Sequence, residues 1–224
     1  AKETGVDRRL PEGYRGDDLS SKDGIEQHHF YRKQLVELEA ADDKLVSAIY
    51  QGAHTDIREP KYLTQLIDDI NKLNWYALDR EDLGDMYEGL LEKNANETKS
   101  GAGQYFTPRV LIDSIVKLMK PQVGEIIQDP AAGTGGFLLS ADTYIRNVTN
   151  DYFDLTENQI LFQKNKADVG MELVPDTHRL ALMNTMLHDL EGDNNGIIRL
   201  GNTLSAEGQK LPKADLILSN PPFG

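Results

Sequence analysis

The sequence predicts an α/β fold: a doubly wound parallel sheet, preceded by an all-α domain. Three observations lead there. Apolar residues recur at helical spacing up to about residue 100, with no strand pattern of any length among them. From Glu125 onward, short apolar runs alternate with helical stretches, the order of strand–helix–strand units. Between the first run and its helix lies a loop of small residues, Pro130-Ala-Ala-Gly-Thr-Gly-Gly136. The expected domains are residues 1–100, all helical, and residues 101–224, carrying the sheet.

Residues 1–24 read as an irregular lead-in broken by Pro11, Gly13 and Gly16. Phe30, Leu35, Leu38, Leu45 and Ile49 then mark a helical stretch from Ile25 to about Tyr50. A second helix opens at Pro60 with Leu63, Leu66, Ile67, Ile70 and Leu73. A third, Asp82 to Lys93, sets Leu83, Met86, Tyr87, Leu90 and Leu91 on one face. His28 and His29 read as surface or cap residues, since adjacent residues do not share a helix face. Trp75 reads as core. Residues 94–104 are small and polar, a linker.

In Gln104-Tyr-Phe-Thr-Pro-Arg109, Thr107 is expected to cap a helix with Pro108 at its first position. Two readings stand side by side for this box: a helix start, or a helix N-terminus with aromatics and an amide that holds a carboxylate or a flat ring. The helix runs to Lys120 and stops at Pro121. Glu125 to Asp129 is the first strand, and the small-residue loop leads from it into the helix Phe137–Asn147. That layout is the one used for nucleotide-type ligands, with glycines admitting the ligand to the backbone. The loop lacks the Gly-x-Gly-x-x-Gly spacing and a P-loop lysine, which argues against NAD and ATP. After a helical insertion (Asn150–Lys166), Asp168 to Glu172 is the second strand. Glu172, at its end, either takes both hydroxyls of a ribose or caps the helix opening at Pro175. Ile197 to Leu200 is the third strand, followed by Gly201-Asn202-Thr203. The fourth, Asp215 to Ser219, reads as buried and delivers Asn220-Pro221-Pro222-Phe223 to the sheet edge. Two prolines stiffen that turn and leave its carbonyls free. With an amide and an aromatic beside them, they suit an exocyclic amino group on a planar ring.

Composition narrows the classes. Charge is −13, with 24 basic against 37 acidic side chains, and neither half has the basic excess of a nucleic-acid footprint. There are no cysteines, which rules out disulfides, thiolate metal sites and a cysteine nucleophile in this chain. No run is apolar enough for a membrane span and no signal peptide is visible, so a cytoplasmic setting is expected.

Taken in order, Gly103–Arg109, Asp129-Pro-Ala-Ala-Gly-Thr-Gly-Gly-Phe137, Gly170-Met-Glu172, Gly201-Asn-Thr203 and Asn220-Pro-Pro-Phe223 resemble the amino-group DNA methyltransferases. With Asp85–Gln104 included, the chain resembles the modification (M) subunits of type I restriction-modification systems, which methylate the N6 amine of adenine in DNA. The resemblance covers most of the chain. It departs by truncation, since the C-terminal part of the catalytic domain and the family's last helices are not in this sequence. It implies the S-adenosylmethionine-dependent methyltransferase form of the doubly wound sheet. It also implies S-adenosylmethionine as cofactor, held by Gln104, Tyr105, Phe106, Thr107, Pro108 and Arg109 at its methionine end. Asp129, Ala131, Gly133, Thr134, Gly135 and Gly136 would form the loop around it, with Glu172 on the ribose and Asn202 near the adenine. Asn220 and the carbonyl of Pro221 would accept from the target amine, with Pro222 stiffening the turn and Phe223 stacking on the flipped base. No metal is implied. The implied partners are double-stranded DNA, a specificity (S) subunit, a second modification subunit and a restriction (R) subunit. C5-cytosine methylation, which needs a cysteine adduct, is excluded. Two other readings remain at this stage: methylation of another planar amide such as protein glutamine, and a non-catalytic cofactor-binding scaffold.

Overall fold

The computed structural model describes residues 9–75, 77, 80–97, 107–190, 192 and 196–222. The chain divides into two compact units, residues 1–79 and 80–224.

Among its described residues the first unit contains helices, turns and loops and no strand. Helix α1 (Gly16–Ser20) interrupts what the sequence suggested was an irregular lead-in. The expected single stretch from 25 to 50 is two helices, α2 (Gly24–Glu37) and α3 (Lys44–Tyr50), joined through a 3-10 turn at Leu38–Ala40. Asp43 makes the break: its Oδ1 accepts from the amides of Leu45 and Val46 at 2.9 and 3.0 Å and starts α3 afresh. Helix α4 (Pro60–Asn71) opens on its proline as expected. Leu35, Leu38, Leu45, Val46, Ile49, Leu63 and Ile67 are the buried apolar residues of this unit. His28 is not a surface residue: it is buried, with Nε2 2.7 Å from the Ile57 carbonyl, whereas His29 is exposed. Trp75 is half-buried rather than core, its indole N–H donating to the Ile70 carbonyl at 2.8 Å.

The division between units comes one helix earlier than the expected boundary at 100. Helix α5 (Arg80–Glu97) groups with the second unit and extends four residues into the expected linker. Its Tyr87 hydroxyl donates to the Leu180 carbonyl at 3.4 Å, and Glu88 pairs with Arg109 at 2.7 Å. At Gly84 a Cβ would come within 2.4 Å of the His188 ring, so only glycine allows this approach.

Helix α6 (Arg109–Met119) follows, ended by Lys120 in the left-handed region (φ 53) and then by Pro121. Ile112 and Val116 are its buried residues, while Leu111 and Met119 stand half out. Four strands then alternate with helices. They are β1 (Ile127–Asp129), α7 (Gly136–Val148), α8 (Glu157–Phe162), β2 (Asp168–Glu172), α9 (Pro175–Leu187), β3 (Ile198–Leu200) and β4 (Leu216–Ile217). All pairings are parallel, in the order β3-β2-β1-β4. Every residue of β1 and β2 is buried, as expected of parallel strands covered on both faces. β4 is not the buried strand expected: Ile217 is 61% exposed, because β4 lies at the edge of the described sheet. The core gathers Ile112, Val116, Ile127, Phe137, Leu138, Ile145 and Ile198 among others.

The insertion after α7 is only partly helical. Asn150, Asp151 and Tyr152 all take left-handed φ values. They turn the chain back so that the buried Tyr152 hydroxyl bonds to Asp142 and the Arg146 guanidinium lies 4.4 Å over its ring.

Candidate functional site

The chain moves from β1 outward through β2 and β3, then returns to the other side of β1 to lay down β4. The carboxyl ends of β1 and β4 therefore flank a topological switch point, where open α/β sheets take their ligands. The residues expected to act there can be followed strand by strand.

Asp129 ends β1 and is 1% exposed. Its Oδ1 accepts from the Ala131 amide at 3.1 Å and from the Ser219 hydroxyl at 2.7 Å. Burial pushes this carboxyl up to about 6. The bonds from Ser219 and Ala131 oppose that rise, and the nearby Glu172 charge adds to it. Asp129 thus ties the root of the glycine loop to the exit of β4.

The loop is pinned at each step. The Ala132 amide donates to the Met171 carbonyl at 2.9 Å, and the Gly133 amide to Glu172 Oε2 at 2.9 Å. The Thr134 carbonyl accepts from Asn184 Nδ2 at 3.0 Å. Gly133 and Gly135 take φ values of 56° and 88°, which side chains other than glycine rarely adopt. Their surroundings differ. A Cβ on Gly133 would meet nothing within 4 Å, whereas one on Gly135 would lie 3.0 Å from Ile198 Cδ1. Gly133 therefore faces open space, and Gly135 is glycine for close packing on β3. Gly135 is the N-cap of α7, whose first turn starts at Gly136 and aims its unpaired amides out of the loop.

Glu172 ends β2, with Oε1 accepting from the Val174 amide at 2.8 Å. Both of its oxygens are engaged, one by the loop and one by the residue that caps α9. Asn202, after β3, is exposed; its Oδ1 accepts from the Leu204 amide at 3.0 Å. Its neighbour Thr203 donates to the Pro130 carbonyl at 2.5 Å, a strut between the β3 and β1 loops. Leu173 and Leu204, next in the chain to this rim, are 62% and 96% exposed.

Beyond β4, Asn220, Pro221 and Pro222 are exposed. The Asn220 Nδ2 donates to Thr107 Oγ1 at 3.0 Å, across 113 residues of sequence. Thr107 does not cap α6. The capping position belongs to Pro108, and no side chain caps that helix. The Arg109 guanidinium is engaged by carboxylates: it meets both Glu88 oxygens at 2.7 Å and Asp113 at 3.2 Å. Gln104, Tyr105, Phe106 and Phe223 lie outside the described residues.

Sequence reading missed Glu88, Asn184 and Ser219. Asn184 is 1% exposed in α9, between the half-buried Met183 and the buried Thr185. The buried residues of α9 include His178 and Thr185 as well as Ala181 and Leu182, so no purely apolar face singled out Asn184 in the sequence. His178 is also buried there, its Nε2 2.8 Å from the Ile198 carbonyl. Burial lowers its proton affinity, which fits a structural role.

Strand order and connections define a doubly wound α/β protein whose glycine loop opens at the switch point of the sheet. The family described as N-6 DNA Methylase matches residues 78–224, and the chain belongs to that family. It is 58% identical over its whole length to the type I restriction enzyme StySPI methylase subunit of Salmonella potsdam. It is 57% identical, again over its whole length, to the EcoKI methylase subunit of Escherichia coli. The chain spans 44% of the length of each of these relatives. Its fold matches the crystal structure of a modification subunit of a putative type I restriction enzyme from Vibrio vulnificus. That match has a TM-score of 0.75 at 23% identity and covers 100% of this chain and 50% of the other.

Proposed function

We propose that this chain transfers a methyl group from S-adenosylmethionine to the N6 amine of adenine in DNA, as part of a type I modification subunit. The carrying observation is the Ser219–Asp129 bond. It joins the Asn220-Pro221-Pro222 turn to the root of the glycine loop at the switch point of the sheet. A methyl donor on the loop and an acceptor at the turn would then be neighbours. Membership of the N-6 DNA methylase family favours adenine over the amide-methylating and scaffold readings.

The residues present fit the cofactor. Gly133 leaves open space, the first turn of α7 offers amides, and Glu172 places a carboxylate at the end of β2. Each Glu172 oxygen accepts one bond from the chain and retains capacity for a ribose hydroxyl. Exposed Leu173 and Leu204 offer apolar surface for a flat ring. When bound, the cofactor supplies an electrophilic methyl on a sulfonium. The chain's task is to orient the amine, whose lone pair is delocalised into the adenine ring. Asn220 Oδ1 and the Pro221 carbonyl accept its two hydrogens, pull it towards tetrahedral geometry and aim the lone pair at the methyl. Phe223 is assigned the stacking face for the base, which must leave the duplex.

A charge of −13 opposes phosphate contact, so tight and selective DNA binding is assigned to a specificity subunit. A second modification subunit and a restriction subunit complete the proposed assembly, in the cytoplasm. Among the described residues no helix is long and apolar enough to cross a membrane. The test is transfer of tritiated methyl from S-adenosylmethionine to unmodified DNA by the full chain with its specificity partner. Label in N6-methyladenine is the expected result. Label in protein, or cofactor binding without transfer, would remove the proposal.

A further inference from the structure

We infer that Thr107 is a positioning residue for the methyl-transfer step, acting through Asn220; the inference rests on the function proposed above. Its hydroxyl lies 3.0 Å from Asn220 Nδ2, and no other side-chain bond of Asn220 is seen among the described residues. The helix that Thr107 precedes does not use that hydroxyl, because Pro108 occupies the capping position and no side chain caps α6. The backbone around Asn220 is already fixed. Ser219 is tied to Asp129 at 2.7 Å on one side, and two prolines follow on the other. What remains free is the carboxamide itself.

A carboxamide has two unlike ends, and the torsion that exchanges them is broad and roughly two-fold. Turned one way it shows the amine an acceptor. Turned the other way it shows a second donor, which repels the amine hydrogens. In the structure Thr107 accepts from Nδ2, which places Oδ1 on the opposite side of the group. With an amine present, every partner is then satisfied: Thr107 takes the amide hydrogen and Oδ1 takes an amine hydrogen. Thr107 would thus hold the carboxamide in place with its acceptor towards the base, a rate effect rather than a binding effect.

The test is a double-mutant cycle in the full chain with its specificity partner, measuring single-turnover methylation and cofactor affinity. Thr107→Val should lower the turnover rate about tenfold, with cofactor Kd changed less than about twofold. Thr107→Ser, which keeps the hydroxyl, should stay within about twofold of the parent on both measures. In the Asn220→Asp background both ends of the side chain are acceptors, so orientation no longer matters. There Thr107→Val should cost less than about twofold. Equal losses in the two backgrounds, or a loss that appears in cofactor Kd instead of rate, would overturn the inference. So would a Thr107→Ser variant as slow as Thr107→Val, a comparison that holds even if Asn220→Asp is inactive. If Asn220→Ala methylates at the parent rate, the proposed function itself falls. If that variant is dead and the cycle is flat, only the role of Thr107 falls.

Discussion

Glu172 Oε2 accepts the Gly133 amide at 2.9 Å while its Oε1 accepts the Val174 amide at 2.8 Å. One carboxylate therefore holds the glycine loop against β2 and steadies the start of α9. Glu172 does not cap α9, because Val174 holds the N-cap position and no side-chain cap bond is made there; its bond is to the Val174 amide, and a ribose would add to it. Glu172→Ala should then cost stability as well as cofactor affinity, about 2–3 kcal/mol in each. Thermal unfolding and calorimetry on the same variant check this. An unchanged melting temperature would show that the carboxylate serves the ligand alone.

The two left-handed glycines of the loop should fail differently. Gly133→Ala strains the backbone by about 1 kcal/mol and puts a methyl into open space, so folding should survive while cofactor affinity drops. Gly135→Val should instead destabilise the fold, by about 1–3 kcal/mol, through collision with Ile198. Circular dichroism melts paired with calorimetry separate the two. Equal melting temperatures for both variants would contradict the assignment.

Asp129 gives the stability a pH signature. Its carboxyl is raised from 3.8 to about 6 in the fold, chiefly by burial, so the folded state holds the proton more tightly than the unfolded chain. Its contribution is present in full below about pH 4 and is lost as pH rises towards 6, a change of about 3 kcal/mol. Asp129→Asn keeps an Oδ1 acceptor for Ser219 and Ala131 without the charge. Parent and variant should be similar near pH 4, and the variant more stable by about that amount above pH 6. Denaturant melts at both pH values test it; a difference independent of pH would refute the burial account.

Asn184 clamps the loop from behind, donating to the Thr134 carbonyl at 3.0 Å and approaching Glu88 Oε1 at 3.5 Å. Asn184→Leu leaves that carbonyl without its donor inside the protein. A loss of about 1–3 kcal/mol in stability is expected, with weaker cofactor binding. If urea melts match the parent, the clamp is incidental.

At the turn, Asn220→Ala should lower methyl transfer about a hundredfold or more, by analogy with the loss of one oxyanion-hole donor. Cofactor affinity should change little, because Asn220 follows β4 and the loop follows β1. Asn220→Asp keeps an oxygen in place and should retain measurable activity. Rapid-quench methylation and equilibrium cofactor binding on each variant supply the check.

Much of the second unit is legible because its strands are short runs set between helical stretches: Asp168–Glu172 has the bounds the sequence predicts. Capping chemistry was harder to read. Thr107 has the right residue type and place for an N-cap, yet its hydroxyl goes to Asn220, a partner that only tertiary structure supplies. Asp43 split an expected single helix through two short-range bonds that hydrophobic spacing does not register. The domain boundary moved because α5 owes its membership to Tyr87 and Glu88, side chains whose partners lie far along the chain. At the rim, the residue types predicted for the site were readable, but the struts Ser219, Thr203 and Asn184 were not, since each acts by reaching another loop.

The pairing of β1 with β4 has a kinetic consequence. Asp129 and Ser219 meet across 90 residues, a span that contains β2, β3 and helices α7 to α9. Closing so long a segment is entropically costly, and local contacts alone cannot drive it. The loop and the Asn220 turn are therefore expected to come into register after the intervening strands have stacked and shortened the segment left to close. The proposed methyl-transfer competence should then be the last property acquired on refolding, lagging the recovery of the far-ultraviolet circular dichroism signal.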